Sequence, residues 1–213
     1  MVYSQFMKQQ WDSRIPFEEI PAFFAREGLL YRPRSRVEAP EVLSYPWASS
    51  PYALANQAEW AVLTKKYGQK LEAGLGAQVS LGWVSESVGW GVFAEHDLPE
   101  GDLVGEYAGV VRRATEVPPV KDEKGHYLSD YAWNYPDELP DGTEFEIDAY
   151  REGNALRFVN HSFTPNCAVD HTLVGGIFVT FFRTLQLIKA GEQLFVDYGE
   201  EYWAEGFRTL ESL

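Results

Sequence analysis

A chain of 213 residues with 45% hydrophobic and 23% charged side chains has the composition of one folded domain, or one domain with an extension, and not of a disordered protein. Its 18 basic residues against 32 acidic ones leave a formal net charge of −14, which disfavours nucleic-acid phosphates and suits a basic partner. The single cysteine, Cys167, excludes an intramolecular disulfide and a multi-cysteine zinc site within the chain; no apolar run reaches the ~18 residues of a membrane span, and the opening MVYSQFMKQQWDSR lacks the basic stretch and apolar core of a classical signal peptide.

Phe17 to Glu27 (FEEIPAFFARE) reads as a short helix stopped by Gly28. Residues 31 to 51 hold four prolines and little periodicity, the pattern of an extended connection. Ser50-Pro51 is an N-cap followed by proline at the first helical position, so Tyr52 to Tyr67 is expected to be a second helix with Gly68 as its stop. From Val79 the pattern turns to short strands: Val92 to Ala94, Leu103 to Val111, Ile177 to Phe182 and Leu194 to Val196, punctuated by Gly and Pro. Glu200 to Leu213 could form an amphipathic helix weakened by Gly206. The expected fold class is therefore mostly β with a helical N-terminal extension: extension 1–78, domain 79–203 and tail 204–213.

Three segments carry chemistry. Gly89-Trp90-Gly91 precedes a strand; it is a tight turn, or a backbone that lets a ligand approach closely. It lacks the third glycine and the helix of a dinucleotide site. Arg157 to Cys167 (RFVNHSFTPNC) contains His161, most simply a hydrogen-bonded structural histidine, and Cys167, a buried inert thiol or a nucleophile. The remaining histidines show no tight ligand spacing, so no metal is expected. Gly191 to Trp203 (GEQLFVDYGEEYW) holds Tyr198 between Asp197 and Gly199, a core tyrosine or one presenting its hydroxyl to a substrate.

In order and spacing these segments resemble the SET-domain family of protein lysine methyltransferases. Gly89-Trp90-Gly91-Val92-Phe93-Ala94 resembles the family's GxGVFA opening, and Glu106-Tyr107-Ala108-Gly109 its EYxG strand. Arg157-Phe158-Val159-Asn160-His161-Ser162 with Pro165-Asn166-Cys167 resembles its RFxNHS motif, and Asp197-Tyr198-Gly199 its catalytic end. The likeness covers residues 80 to 203, and the short form with its YGEEYW ending is most similar to bacterial (chlamydial-type) and viral SET proteins.

The resemblance implies small curved sheets around a C-terminal pseudoknot that brings the NHS and DYG motifs together. It implies transfer of methyl from S-adenosyl-L-methionine to a lysine amine. Tyr198 matches the catalytic tyrosine and Tyr107 a second channel position. Gly89, Trp90, Gly91, Arg157, Asn160 and His161 match cofactor-side positions, with Tyr131 in the variable insert and Trp203 stacking on adenine. Val196, two residues before Tyr198, and Val169, eight after His161, match positions that limit how many methyl groups are added. No cysteine cluster flanks the motifs, so the tail, the N-terminal helices or a second subunit in a homodimer must close the lysine channel.

Pro136 to Asp148 contains six acidic residues and no basic one: a solvated loop, or a docking surface for a basic protein such as a histone. The partners expected are a histone or histone-like protein, with no direct nucleic acid binding and no membrane. A SET-like module that binds basic peptides without transfer, or a methyltransferase of a ribosomal or metabolic protein, are the alternatives. The expected location is the cytoplasm, or a host cell and its nucleus after secretion without a classical signal peptide.

Overall fold

The computed structural model describes residues 14–114, 128–200 and 202. A 3-10 turn Phe17–Glu19 leads into α1 (Ile20–Arg26), whose buried face is Ile20, Phe23 and Phe24, the i, i+3, i+4 spacing of an amphipathic helix. The extended connection expected over 31–51 is more structured than its sequence suggests. It carries β1 (Leu30–Tyr31), β2 (Arg36–Val37), α2 (Pro40–Ser44) and a 3-10 turn Trp47–Ser49. The two strands leave no period in the sequence because each is two residues long and exists only through its partner. Leu30–Tyr31 runs parallel to Glu152–Gly153, and Arg36–Val37 parallel to Val110–Val111.

Ser50 caps α3 (Pro51–Ala55): its Oγ accepts the Ala53 N–H at 3.0 Å. The single helix expected from Tyr52 to Tyr67 is two. α3 breaks at Asn56, and α4 (Gln57–Glu72) continues through Gly68. Gly68 is buried and helical; the left-handed residue that ends α4 is Gly74, at φ +66°.

The helical region shares one core with the strands. Trp47 is fully buried, donates its indole N–H to the Val42 carbonyl at 2.8 Å and sits among Tyr45, Tyr135, Phe145 and Phe178. Trp60 of α4 packs edge-on against Phe178 and His171. The extension drawn at residue 78 is thus continuous with the domain in its packing.

β3 (Val79–Ser85) and β4 (Gly89–Ala94) form a hairpin. The strand expected over Leu103 to Val111 is divided into β5 (Leu103–Glu106) and β6 (Val110–Arg113), with Tyr107 to Gly109 as the bend between. There follow a 3-10 turn Leu128–Tyr131, β7 (Ala132–Asn134), β8 (Phe145–Asp148), β9 (Glu152–Gly153) and a 3-10 turn Ala155–Phe158. The last strands are β10 (Asn160–His161), β11 (Cys167–Val174), β12 (Ile177–Thr184) and β13 (Phe195–Val196). They assemble as a four-stranded sheet β2-β6-β8-β7, a three-stranded sheet β11-β12-β5, the β3-β4 hairpin and the parallel pairs β1-β9 and β10-β13.

The β10-β13 pair is the juxtaposition a C-terminal pseudoknot requires. Asn160 pairs with Phe195 and His161 with Val196. On its other flank the same terminal segment bonds β4, through Leu194 N–H to the Val92 carbonyl at 2.8 Å and Ala94 N–H to the Glu192 carbonyl at 3.0 Å. Asn166 stitches it further: its amide donates to the Gln193 carbonyl and its oxygen accepts the Phe195 N–H, both at 2.8 Å. One side chain thereby satisfies two backbone groups that would otherwise lack a ladder partner.

Candidate active site

The terminal segment delivers Tyr198 to the NHS motif. The Tyr198 N–H donates to His161 Nδ1 at 3.2 Å, and the Tyr198 hydroxyl donates to the Val159 carbonyl at 2.7 Å. Its hydroxyl proton is therefore directed into the protein, and the oxygen lone pairs stay available to accept. Burial raises the Tyr198 pKa well above the ordinary phenol value, so the group stays neutral. His161 is buried and its pKa is lowered by desolvation, against the opposing effect of Asp197 at 3.6 Å. A neutral ring whose Nδ1 accepts a backbone N–H carries its proton on Nε2.

Tyr107 forms the second pole. It is buried at the end of β5, and its hydroxyl donates to the Tyr131 carbonyl at 2.8 Å. Desolvation raises its pKa, so it too stays neutral. Between the two tyrosines stands Trp133, 5.8 Å from Tyr107 and 6.3 Å from Tyr198, both edge to face, with Phe182 6.1 Å away. Tyr202 covers Tyr198 from the other side at 4.7 Å and its hydroxyl donates to Asp130 Oδ1 at 3.3 Å. The result is an aromatic wall with two oriented hydroxyls.

The glycine-flanked turn adjoins this wall. Asn160 Nδ2 donates to the Trp90 carbonyl at 3.2 Å, which ties β4 to β10. The two glycines differ in their surroundings. Gly89 takes φ +79°, and nothing stands within 4 Å of where its Cβ would be. Gly91 is packed instead: a Cβ there would meet Gln193 Nε2 at 2.7 Å and Val84 Cγ2 at 2.9 Å. The space beside Gly89 and the Asn160 side-chain oxygen are the features at this turn that could face a ligand.

The other sequence-selected residues fall as follows. Arg157 is buried, donates Nε to the Ala149 carbonyl at 2.7 Å and Nη2 to the Tyr150 carbonyl at 3.0 Å, and lies 3.9 Å from the Tyr131 ring centre. These contacts tie it to the two residues that follow β8 and to the 3-10 turn before β7. Tyr131 lends its ring to Arg157 and its carbonyl to Tyr107. Val196 is fully buried beside His161. Val169 pairs directly with Phe182, so their side chains share a face, and the Phe182 ring lies 5.8 Å from Tyr107. Trp203 and the tail 204–213 lie outside the described residues. The Cys167 thiol is buried and pushed up to about 12, which makes it inert. Among the described residues no group of three His, Cys, Asp or Glu side chains is placed to hold a metal, and no helix is long and apolar enough to cross a membrane.

Two of the acids in the stretch 136–148 are drawn into ion pairs: Glu146 and Asp148 both pair with Arg112. Asp137 accepts the Ser50 hydroxyl at 2.6 Å and Asp141 accepts the Thr143 N–H at 3.0 Å. Glu138, Asp141 and Glu144 of that stretch are exposed. The sequence reading missed Trp133, Tyr202 and the role of Asn166. Tyr131, Trp133 and Tyr135 alternate at the period of a strand, a signal that could have found Trp133. Tyr202 is adjacent to Trp203, the residue expected to stack on adenine.

The strand-rich core, the parallel pair that joins two distant motifs and the neutral tyrosines of the aromatic wall all lie within residues 89–199 or pack directly on them. The chain belongs to the SET domain family: residues 89–199 match that family's model. Over 138 residues it is 36% identical to histone-lysine N-methyltransferase EHMT1 of Mus musculus and, equally, of Homo sapiens, a match covering 62% of this chain and 10% of each relative. It is 33% identical over 114 residues to histone-lysine N-methyltransferase EZ2 of Zea mays, covering 54% of this chain and 12% of the relative. The chain thus spans about a tenth of the length of these curated relatives. Among solved structures, a humanized mutant of the Chaetomium thermophilum Polycomb Repressive Complex 2 bound to the inhibitor GSK343 is 27% identical with a TM-score of 0.46, covering 61% of this chain and 16% of that one.

Proposed function

We propose that this chain is a protein-lysine N-methyltransferase that uses S-adenosyl-L-methionine and acts on a basic protein, a histone or a histone-like protein. The observation that carries the reading is the Tyr198 hydroxyl, held by the Val159 carbonyl with its lone pairs left to accept from an amine N–H. The naming of the relatives as histone-lysine methyltransferases supports it. S-adenosyl-L-methionine, when bound, supplies an electrophilic methyl group on a sulfonium. Gly89, Trp90, Gly91, Asn160 and His161 would hold it.

The attacking amine has to be neutral. The faces of Tyr107, Trp133, Phe182 and Tyr198 exclude water, and desolvation lowers a lysine's pKa. Neither tyrosine takes the proton, since burial holds both in the phenol form; the amine gives it to solvent on entry. Tyr198 then aims the amine lone pair by accepting one N–H, so catalysis is chiefly positioning and electrostatic. Val169 and Val196 offer no hydroxyl to retain a water beside the amine, so the channel admits a lysine that already carries methyl groups, and di- or trimethyl-lysine forms.

The net charge of −14 brings the basic substrate in. In the same reading the channel is completed by the tail or by a second subunit, and the protein works in the cytoplasm or in the nucleus of a host cell. The likeness to short chlamydial-type and viral SET proteins rests on the short form and the YGEEYW ending. The test is incubation with methyl-labelled cofactor and a proteome or purified histones, read by mass spectrometry. Labelled lysine on a basic protein is expected; cofactor binding without label on any protein would replace the enzyme with a binding module, and label on a ribosomal or metabolic protein alone would replace the substrate.

A further inference from the structure

We propose that the N-terminal segment 14–38, which lies outside the matched family region, positions both halves of the site: Phe23 sets Trp90 on the cofactor side and Ser35 sets Tyr107 on the channel side. The inference rests on the methyltransferase reading above and adds two positioning residues to it.

The segment touches the glycine hairpin, the opening of the RFVNHS motif and the Glu106–Gly109 bend. Ile15 exchanges backbone hydrogen bonds with Leu81 of the glycine hairpin at 2.8 and 2.9 Å, and Arg14 stacks on Phe93 with its Cζ 3.8 Å from the ring centre. The buried Phe23 ring lies 4.8 Å from Trp90 and 6.0 Å from Phe158 of the RFVNHS motif. Trp90 lies in β4 opposite Trp83, whose ring packs edge to face on it at 5.5 Å from within the hairpin. Phe23 packs edge to face on the same ring from outside the hairpin, at 4.8 Å, while the Trp90 carbonyl is held by Asn160.

Ser35 acts at the other end. Tyr107, Ala108 and Gly109 lie in the bend between β5 and β6, where the regular ladder is interrupted. The Ser35 N–H donates to the buried Glu106 carboxylate at 2.7 Å, and the Ser35 hydroxyl accepts the Gly109 N–H at 3.3 Å and stands 3.5 Å from the Tyr107 carbonyl. The Arg36 N–H donates to the Gly109 carbonyl at 2.9 Å, and Arg34 faces Glu106 at 3.7 Å. These bonds bracket Tyr107 on both sides and, together with its own N–H bond to the Thr180 carbonyl and the Asn154 bond to the Glu106 carbonyl, direct its hydroxyl to the Tyr131 carbonyl.

Two ends acting on two halves predict a split that loss of fold alone would not give. In the full chain, Phe23→Leu should weaken cofactor affinity measured by calorimetry about tenfold, with turnover at saturating cofactor within about twofold. Ser35→Ala should lower turnover about tenfold and leave cofactor affinity within about twofold, and Ser35→Thr, which restores the hydroxyl, should recover most of the turnover. Val42→Ala, a buried change in α2, is the control that lowers the melting temperature and moves neither quantity. If Phe23→Leu does not stay folded by circular dichroism, Phe23→Met takes its place. The proposal is overturned if both variants change affinity and turnover together, or if neither quantity moves. A wild type that binds cofactor but methylates nothing sinks the methyltransferase reading instead, and the Phe23 arm remains readable by calorimetry.

Discussion

The region 14–78 and the motif-bearing region 79–199 are held together by different means. In the first, the large fully buried groups are apolar: Phe23, Phe24, Trp47 and Leu71. In the second, buried polar groups stand among the apolar ones, including Glu106, Arg157 and His161, each bonded to backbone or to an adjacent side chain. Apolar burial is non-directional and stabilises in proportion to area, whereas buried polar groups contribute little net stability but fix orientation. The first region should therefore answer to volume, the second to individual atoms.

The sharpest way to break that contrast is Trp47→Ala. It removes a fully buried indole that contacts four other aromatic rings, and core Trp→Ala changes cost about 3–5 kcal/mol. Urea titration should show a large loss of stability or an unfolded chain. A cost under about 1 kcal/mol would mean that the helical region contributes far less to the shared core than its burial indicates.

Tyr198→Phe is the matching change in the second region. It deletes one hydroxyl and its bond to the Val159 carbonyl, a stability cost of about 1 kcal/mol. Turnover should nonetheless fall on the order of 10²–10³, as for loss of one oriented donor or acceptor at a reacting centre. Wild-type turnover in single-turnover assays of this variant would remove Tyr198 from the chemistry.

A change of product rather than rate sharpens the comparison further. Val196→Tyr adds a hydroxyl in the buried space beside His161, with a packing penalty of about 1–3 kcal/mol. Intact-mass measurement of a single-lysine peptide run to completion should show di- or trimethyl product from the wild type and a shift toward monomethyl from the variant. Strictly monomethyl product from the wild type would assign the limiting role to another group.

The smallest expected effect is on stability against pH. Burial lowers the pKa of His161 in the second region and of His171, which meets Tyr52 of the first at 2.9 Å. The native state keeps these rings neutral while the unfolded chain protonates them near 6.5. Their contribution is complete above about 6.5 and is lost as pH falls from there toward the depressed native values. Glu106 and Glu146, raised by desolvation, act in the opposite sense above about 4.5. Comparing wild type with His171→Gln between pH 5 and 7 isolates the histidine part. The variant should have the flatter profile, and identical profiles would show that His171 does not contribute.

Sequence by itself determined what depends on local chemistry. The order of motifs identified the SET domain, periodicity and caps located α1 and the start of α3 at Ser50, and runs of β-formers located β4, β5 and β12. It also selected Tyr107, Asn160, His161 and Tyr198, whose spacing is a family signature. Only the tertiary structure decided what depends on partners distant along the chain. The strands Leu30–Tyr31 and Arg36–Val37 exist because Glu152–Gly153 and Val110–Val111 offer them free edges. Gly68 lies within α4 and not at its end, and packing placed Trp133 and Tyr202 against Tyr198. A two-residue strand has no period of its own, and an aromatic residue reveals its neighbours only after the chain has folded; both are settled by contacts that no window along the sequence contains.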